Sequence, residues 1–159
     1  MQLLKVKHFR QRPSYCGPAS LKILFSFYGV ETTELELGKL SGCTIKEGTH
    51  HIGMAKVAKA FGFKIHAKDH ATFKDIDLWI NQKRTPVIVG WFSDWDDHYS
   101  VVVGLDSKYI YLADPEVEKP VRKIERWFFQ HVWFDFIGTH NDQVSWGWMI
   151  GIEPKTTKK

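Results

Sequence analysis

Apolar residues recur at helical spacing through the first half of the chain. Over residues 17–28, Leu21, Ile23, Leu24, Phe25, Phe27 and Tyr28 predict a helix that Gly29 ends. Thr32 or Thr33 is placed to cap a second short helix reaching Leu40 before Gly42. Thr49 is placed to cap a third, running to Phe61 before Gly62. Residues 63–67 alternate in the manner of a strand, and Phe73, Ile76, Trp79 and Ile80 predict an amphipathic helix over 73–83.

The pattern changes in the second half. Pro86 to Trp91 is a short apolar run, and residues 99–103 and 109–113 are β-rich with a turn signal at Asp106-Ser107 between them. An aromatic stretch from Trp127 to Phe136 has room for a helical turn, and Gly147 to Ile152 reads as a last strand before Pro154. Helices first and strands second predict an α+β domain, with N-terminal helices packed on a mainly antiparallel sheet.

The length of 159 residues suits one domain, expected over 1–153, followed by a basic tail over 154–159. A domain of this size buries roughly two thirds of its unfolded surface, so it needs neither a metal nor a disulfide to hold it. The net charge is +4, but Lys and Arg are dispersed among acids rather than gathered on one element, which argues against a nucleic-acid partner. Cys16 and Cys43 make no disulfide framework and fit two free thiols in a reducing compartment. Residues 1–10 hold no long apolar core and no stretch is long enough to span a membrane, so a cytoplasmic location is expected.

Candidate chemistry centres on Gln11-Arg-Pro-Ser-Tyr-Cys16-Gly17-Pro18-Ala19. Pro18 suits a first helical turn, which puts Cys16 at the N-terminus of an apolar helix. There the dipole and free N–H groups favour a thiolate, the reactive form of a cysteine. The competing reading is a small buried residue at a helix start.

A base and an orienting acid come from the strands. With a three-residue loop at 105–107, Gly104 faces Lys108 and His98 faces Asp114, their Cβ atoms about 5 Å apart. A catalytic imidazole needs one nitrogen towards the nucleophile and the other held by an acceptor. Pro115 ends the strand and leaves Asp114 at the sheet rim.

These residues resemble the papain-like peptidases that process bacteriocin leaders. That family shows a Gln, then Cys-Gly-x-Ala opening a helix, a His beginning a strand and Asp-Pro ending the next. Here the matching residues are Gln11, Cys16-Gly17-Pro18-Ala19, His98 and Asp114-Pro115, with Glu47-Gly48-Thr49 and Phe61-Gly62-Phe63 between them. The resemblance covers about residues 8–135 and implies a papain-like cysteine proteinase fold, a Cys16–His98–Asp114 triad, an oxyanion donor at Gln11 and a peptide or protein substrate, with no cofactor. The family's Gln stands one residue further from its Cys, where this chain has Arg10, so Gln11 and Arg10 both stay open for that role. Two alternatives share the fold: a peptide-binding module without turnover, and an acyl transferase such as phytochelatin synthase, which also carries a Tyr-Cys-Gly segment like Tyr15-Cys16-Gly17.

Other residues are read more plainly. His50, His51, His66 and His70 lack metal-ligand spacing with Cys43 and read as surface or cap residues. Trp91, Phe92, Trp95 and Tyr99 around the His98 loop read as core rather than substrate groove. Asp94, Asp96 and Asp97 either favour basic substrates or form a solvated acidic loop.

Overall fold

A computed structural model describes residues 1–155. The predicted tail over 154–159 falls mostly on residues 156–159, outside the described residues, and Pro154 itself closes the last strand. The helices come first: α1 (Cys16–Phe27), α2 (Glu34–Ser41) and α3 (His51–Ala60). Strand β1 (Phe63–Lys68) follows, then α4 (Phe73–Asp77), which runs on as a π-helical turn over Leu78–Gln82. Next are β2 (Val87–Ser93), β3 (Asp96–Leu105), β4 (Tyr109–Ala113) and β5 (Arg122–Glu125). Helix α5 (Arg126–Val132), β6 (Phe134–Ile137), β7 (Gln143–Trp146) and β8 (Trp148–Pro154) complete the chain.

Six strands form one antiparallel sheet in the order β1-β8-β2-β3-β4-β5, and β6 with β7 forms a separate hairpin. The α+β architecture is the expected one. Thr33 caps α2, its Oγ1 accepting from the Glu36 N–H at 3.1 Å, and Gly42 ends that helix in the left-handed region. Thr49 does not cap α3: the N-cap is His50, and the Thr49 side chain is buried instead. Strands β2 and β3 are buried along almost their whole length, which is why Pro86 to Trp91 reads as an unbroken apolar run.

The β2–β3 hairpin overturns one expectation. Residues 92–93 and 96–98 are strand, not loop, and the chain reverses at Asp94-Trp95 alone. Trp91 and Tyr99 are core, whereas Trp95 at the tip is 93% exposed. Strands β5 and β7 carry too few apolar residues to announce themselves, with Arg122–Glu125 mostly polar.

Candidate active site

Cys16 is the first residue of α1 and half-buried. Its position is set by the preceding turn, closed by the Tyr15 N–H to the Arg12 carbonyl at 3.1 Å and pinned by Arg12 to the buried Glu34 at 2.5 Å. Gly17 is required here for space: a Cβ would stand 2.8 Å from the Thr49 side chain. The loop before α3 can therefore press against the start of α1 beside the thiol.

His98 and Asp114 meet, though not in the expected register. The turn holds four residues: Leu105 pairs with Ile110, and the Asp106 carboxylate accepts from the Lys108 and Tyr109 N–H groups. That shifts the pairing by three, which alone would put the two side chains on opposite faces. A β-bulge at Val103 takes one residue back, so Val101 pairs with Ala113 and Ser100 stands level with Asp114. The net offset is two, an even number, and the face is restored. His98 is diagonal to Asp114, and its Nε2 donates to Asp114 Oδ1 at 2.5 Å. The bulge is fixed by the N-terminal segment, whose Leu4 N–H donates to the freed Val103 carbonyl at 2.9 Å.

Asp114 is fully buried and fully engaged. Oδ1 also accepts from the Glu116 N–H at 3.0 Å, and Oδ2 accepts from Arg122 Nη1 at 2.9 Å. Burial pushes its carboxyl up, but His98, the Glu116 N–H and Arg122 outweigh this and hold it below the ordinary carboxylate range. For His98 burial favours the neutral ring. The Asp114 carboxylate, bonded to the ring, and the nearby Cys16 sulfur override that and push its pKa up to about 10. With Nε2 on Asp114, Nδ1 is the nitrogen left for the thiol. His98, Asp114 and Glu116 are also close enough to share a cation, but the Arg122 guanidinium already donates to both carboxylates.

Gln11 is held beside this network by its main chain, the N–H donating to the Pro115 carbonyl at 2.9 Å. Its Nε2 reaches the Arg12 carbonyl at 3.4 Å, and its Oε1 is buried without a partner among the described residues. Arg10 turns outward to Glu118 at 3.2 Å, both exposed, so of the two candidates only Gln11 faces inward.

Cys16 and His98 open onto a cavity of about 720 Å³, within the usual size of a ligand site. Its other wall carries residues that sequence reasoning missed. His51 is not a surface residue: its side chain is 15% exposed, stacks on Trp148 at 4.1 Å and bonds through Nε2 to Asp135 Oδ2 at 2.5 Å. Asp135 is buried in β6. The available signal was a single carboxylate inside the aromatic run Trp133-Phe-Asp-Phe, 84 positions from its partner.

A profile of the peptidase C39 family matches residues 5–144. The chain belongs to the peptidase C39 family. Among C39 relatives, the transport/processing ATP-binding protein ComA of Streptococcus pneumoniae is 32% identical over 132 residues, 80% of this chain. The chain spans about a fifth of that protein's length, 18%. An uncharacterized protein of Methanothermobacter thermautotrophicus is 32% identical over 118 residues, covering 72% of this chain and 75% of its own. The peptidase domain of Streptococcus ComA superposes with a TM-score of 0.75 at 26% identity, covering 96% of this chain and 99% of that domain. A double glycine motif protease, solved with its leader peptide, shares the fold with a TM-score of 0.72 at 21% identity and coverage of 96% and 94%. The papain-like C39 fold and the resemblance read from the sequence are thereby established. No helix among the described residues is long and apolar enough to cross a membrane.

Proposed function

We propose that this C39 chain is a thiol peptidase using Cys16, His98 and Asp114. The observation that carries the reading is that the thiol and the imidazole line one cavity, with the imidazole held on a buried, triply bonded carboxylate. Asp114 holds the ring and stabilises the imidazolium. His98 takes the Cys16 proton, and the thiolate attacks the scissile carbonyl carbon, forming the C–S bond. His98 gives its proton to the leaving amine as the C–N bond breaks, then takes one from the water that hydrolyses the thioester. The acid leaves and the thiol is regenerated.

The oxyanion falls to the Cys16 N–H, at the open end of α1, and to Gln11. A half-turn of the Gln11 carboxamide exchanges its unsatisfied buried oxygen for an N–H donor. No cofactor takes part, the substrate is a peptide or protein, and two free cysteines suit a reducing compartment such as the cytoplasm. Iodoacetamide labelling with peptide mass mapping tests this. Cys16 is expected to label faster than Cys43, and Cys16→Ala to abolish hydrolysis of a peptide mixture. Equal labelling together with undiminished hydrolysis in Cys16→Ala sinks the reading, binding without turnover points to a peptide-binding module, and a product heavier than the free acid shows acyl transfer instead.

A further inference from the structure

Part of the cavity lining carries carboxylates where it is least solvated. Asp135 is 4% exposed and lines the cavity, yet its Oδ1 is buried with no hydrogen-bond partner among the described residues. Its Oδ2 is shared with His51 alone. Half-buried Asp97 lies beside it, accepting only the Phe136 N–H at 3.2 Å on Oδ1. Burial, with Asp135 and Asp96 nearby, pushes the Asp97 carboxyl up to about 6 against the opposing pull of that N–H and of His51. The remaining carboxylates of the wall are engaged or solvated. Asp69 accepts from the Ser145 hydroxyl, Glu47 stands 3.6 Å from His50, and exposed Asp96 caps the Asp97 N–H. The one lysine lining the cavity, Lys46, is exposed and in no ion pair among the described residues. Gly90 keeps this corner open to Asp135, since a Cβ there would stand 2.9 Å from Oδ2.

A buried acceptor with no donor is a standing desolvation cost unless something from outside supplies the hydrogen bond. We infer that Asp97, Asp135 and His51 form a subsite for a cationic group of the peptide, a Lys or Arg side chain or a free amino terminus, held while Cys16 attacks a neighbouring carbonyl. His51 fixes one Asp135 oxygen, and the ammonium or guanidinium takes the other together with Asp97. The inference rests on the peptidase reading for its consequence in catalysis, but not for the binding itself.

Quenched-fluorescence peptides, N-acetylated and differing only in Lys or norleucine scanned through the positions flanking the scissile bond, test it. At one position Lys should exceed norleucine by about tenfold or more in kcat/KM, the ratio a charge-assisted hydrogen bond is worth. That ratio should shrink severalfold in Asp97→Asn and in Asp135→Asn. If Asp135→Asn fails to fold, the wild-type ratio and Asp97→Asn still decide. A second arm compares norleucine peptides with free and acetylated termini, and a gain confined to the free terminus identifies the amino terminus as the cation. Equal rates for Lys, norleucine and free-terminus peptides overturn the subsite, as does a Lys preference that survives both Asn substitutions. If no peptide is cut, anisotropy of the same labelled peptides on Cys16→Ala separates the two readings. Tighter binding of Lys or free-amine peptides upholds the subsite while hydrolysis fails, and equal binding removes the subsite.

Discussion

His98–Asp114 and His51–Asp135 share one geometry, an Nε2-to-carboxylate contact of 2.5 Å, and differ in what surrounds it. Asp114 has every oxygen occupied, by His98, the Glu116 N–H and Arg122. Asp135 has one oxygen unoccupied and a second carboxylate beside it. His98 faces a thiol, whereas His51 lies flat on Trp148. The same dyad therefore sits in two different electrostatic settings. A charge-compensated, locked imidazole suits proton transfer at a fixed place. An uncompensated one leaves a demand for positive charge that a substrate can meet.

The largest break in the comparison is expected from the chemistry. Cys16→Ala and His98→Ala should each lower kcat/KM by on the order of 10⁴ or more, whereas His51→Ala should lower it by only about tenfold, measured on the best Lys peptide. A loss of 10⁴ in His51→Ala would mean that the roles of the two dyads are misassigned. Asp114→Asn keeps the shape but loses the charge, and a fall of 10²–10⁴, roughly, in kcat is expected from the misheld tautomer.

Stability should separate the pairs next. Arg122→Met strips the compensating charge from fully buried Asp114 and should cost about 3 kcal/mol in urea unfolding. Asp97→Asn should do the opposite. Because the folded-state pKa of Asp97 is raised, its ionisation costs stability as pH climbs from about 4 to about 6. The Tm of Asp97→Asn should exceed that of the wild type above pH 6, and the difference should vanish below pH 4. A Tm gain that persists at low pH would assign the effect to something other than charge.

His98 gives the third contrast. Its folded pKa of about 10 lies above the ordinary histidine value, so its contribution is complete below about pH 6.5 and lost as pH rises towards 10. The Tm difference between wild type and His98→Gln should narrow across that window. The smallest effect concerns Cys43. Burial, with the nearby charges of Cys16 and Glu34, pushes its thiol up, so its labelling rate should still be climbing above pH 9.

Much of the site was legible because its parts lie in local patterns. A Cys-Gly-Pro at a helix start and a His and an Asp on successive β-segments are short-range signals. The predicted His98–Asp114 register was wrong in both turn and bulge, yet the contact survived because the net error is an even number of residues. The second dyad was not legible. His51 and Asp135 are joined by no local pattern, and His51 looks like any polar residue opening a helix. Gln11 shows the intermediate case, a residue the family pattern points to whose side-chain direction depends on a loop pinned by Arg12 and Glu34.

By itself the sequence determined the first three helices, most of the buried strands, the candidate residues Cys16, His98 and Asp114, and the α+β class. Periodicity, caps and turns act within a few residues, where neighbours along the chain are neighbours in space. Only the tertiary structure decided which carboxylate is compensated and which is left wanting a cation. That balance depends on burial and on donors arriving from strands and loops far away in sequence: Arg122 and Glu116 reach Asp114, and nothing comparable reaches Asp135 among the described residues. A carboxylate's energy is set by everything within a few ångströms, and those neighbours are chosen by the fold.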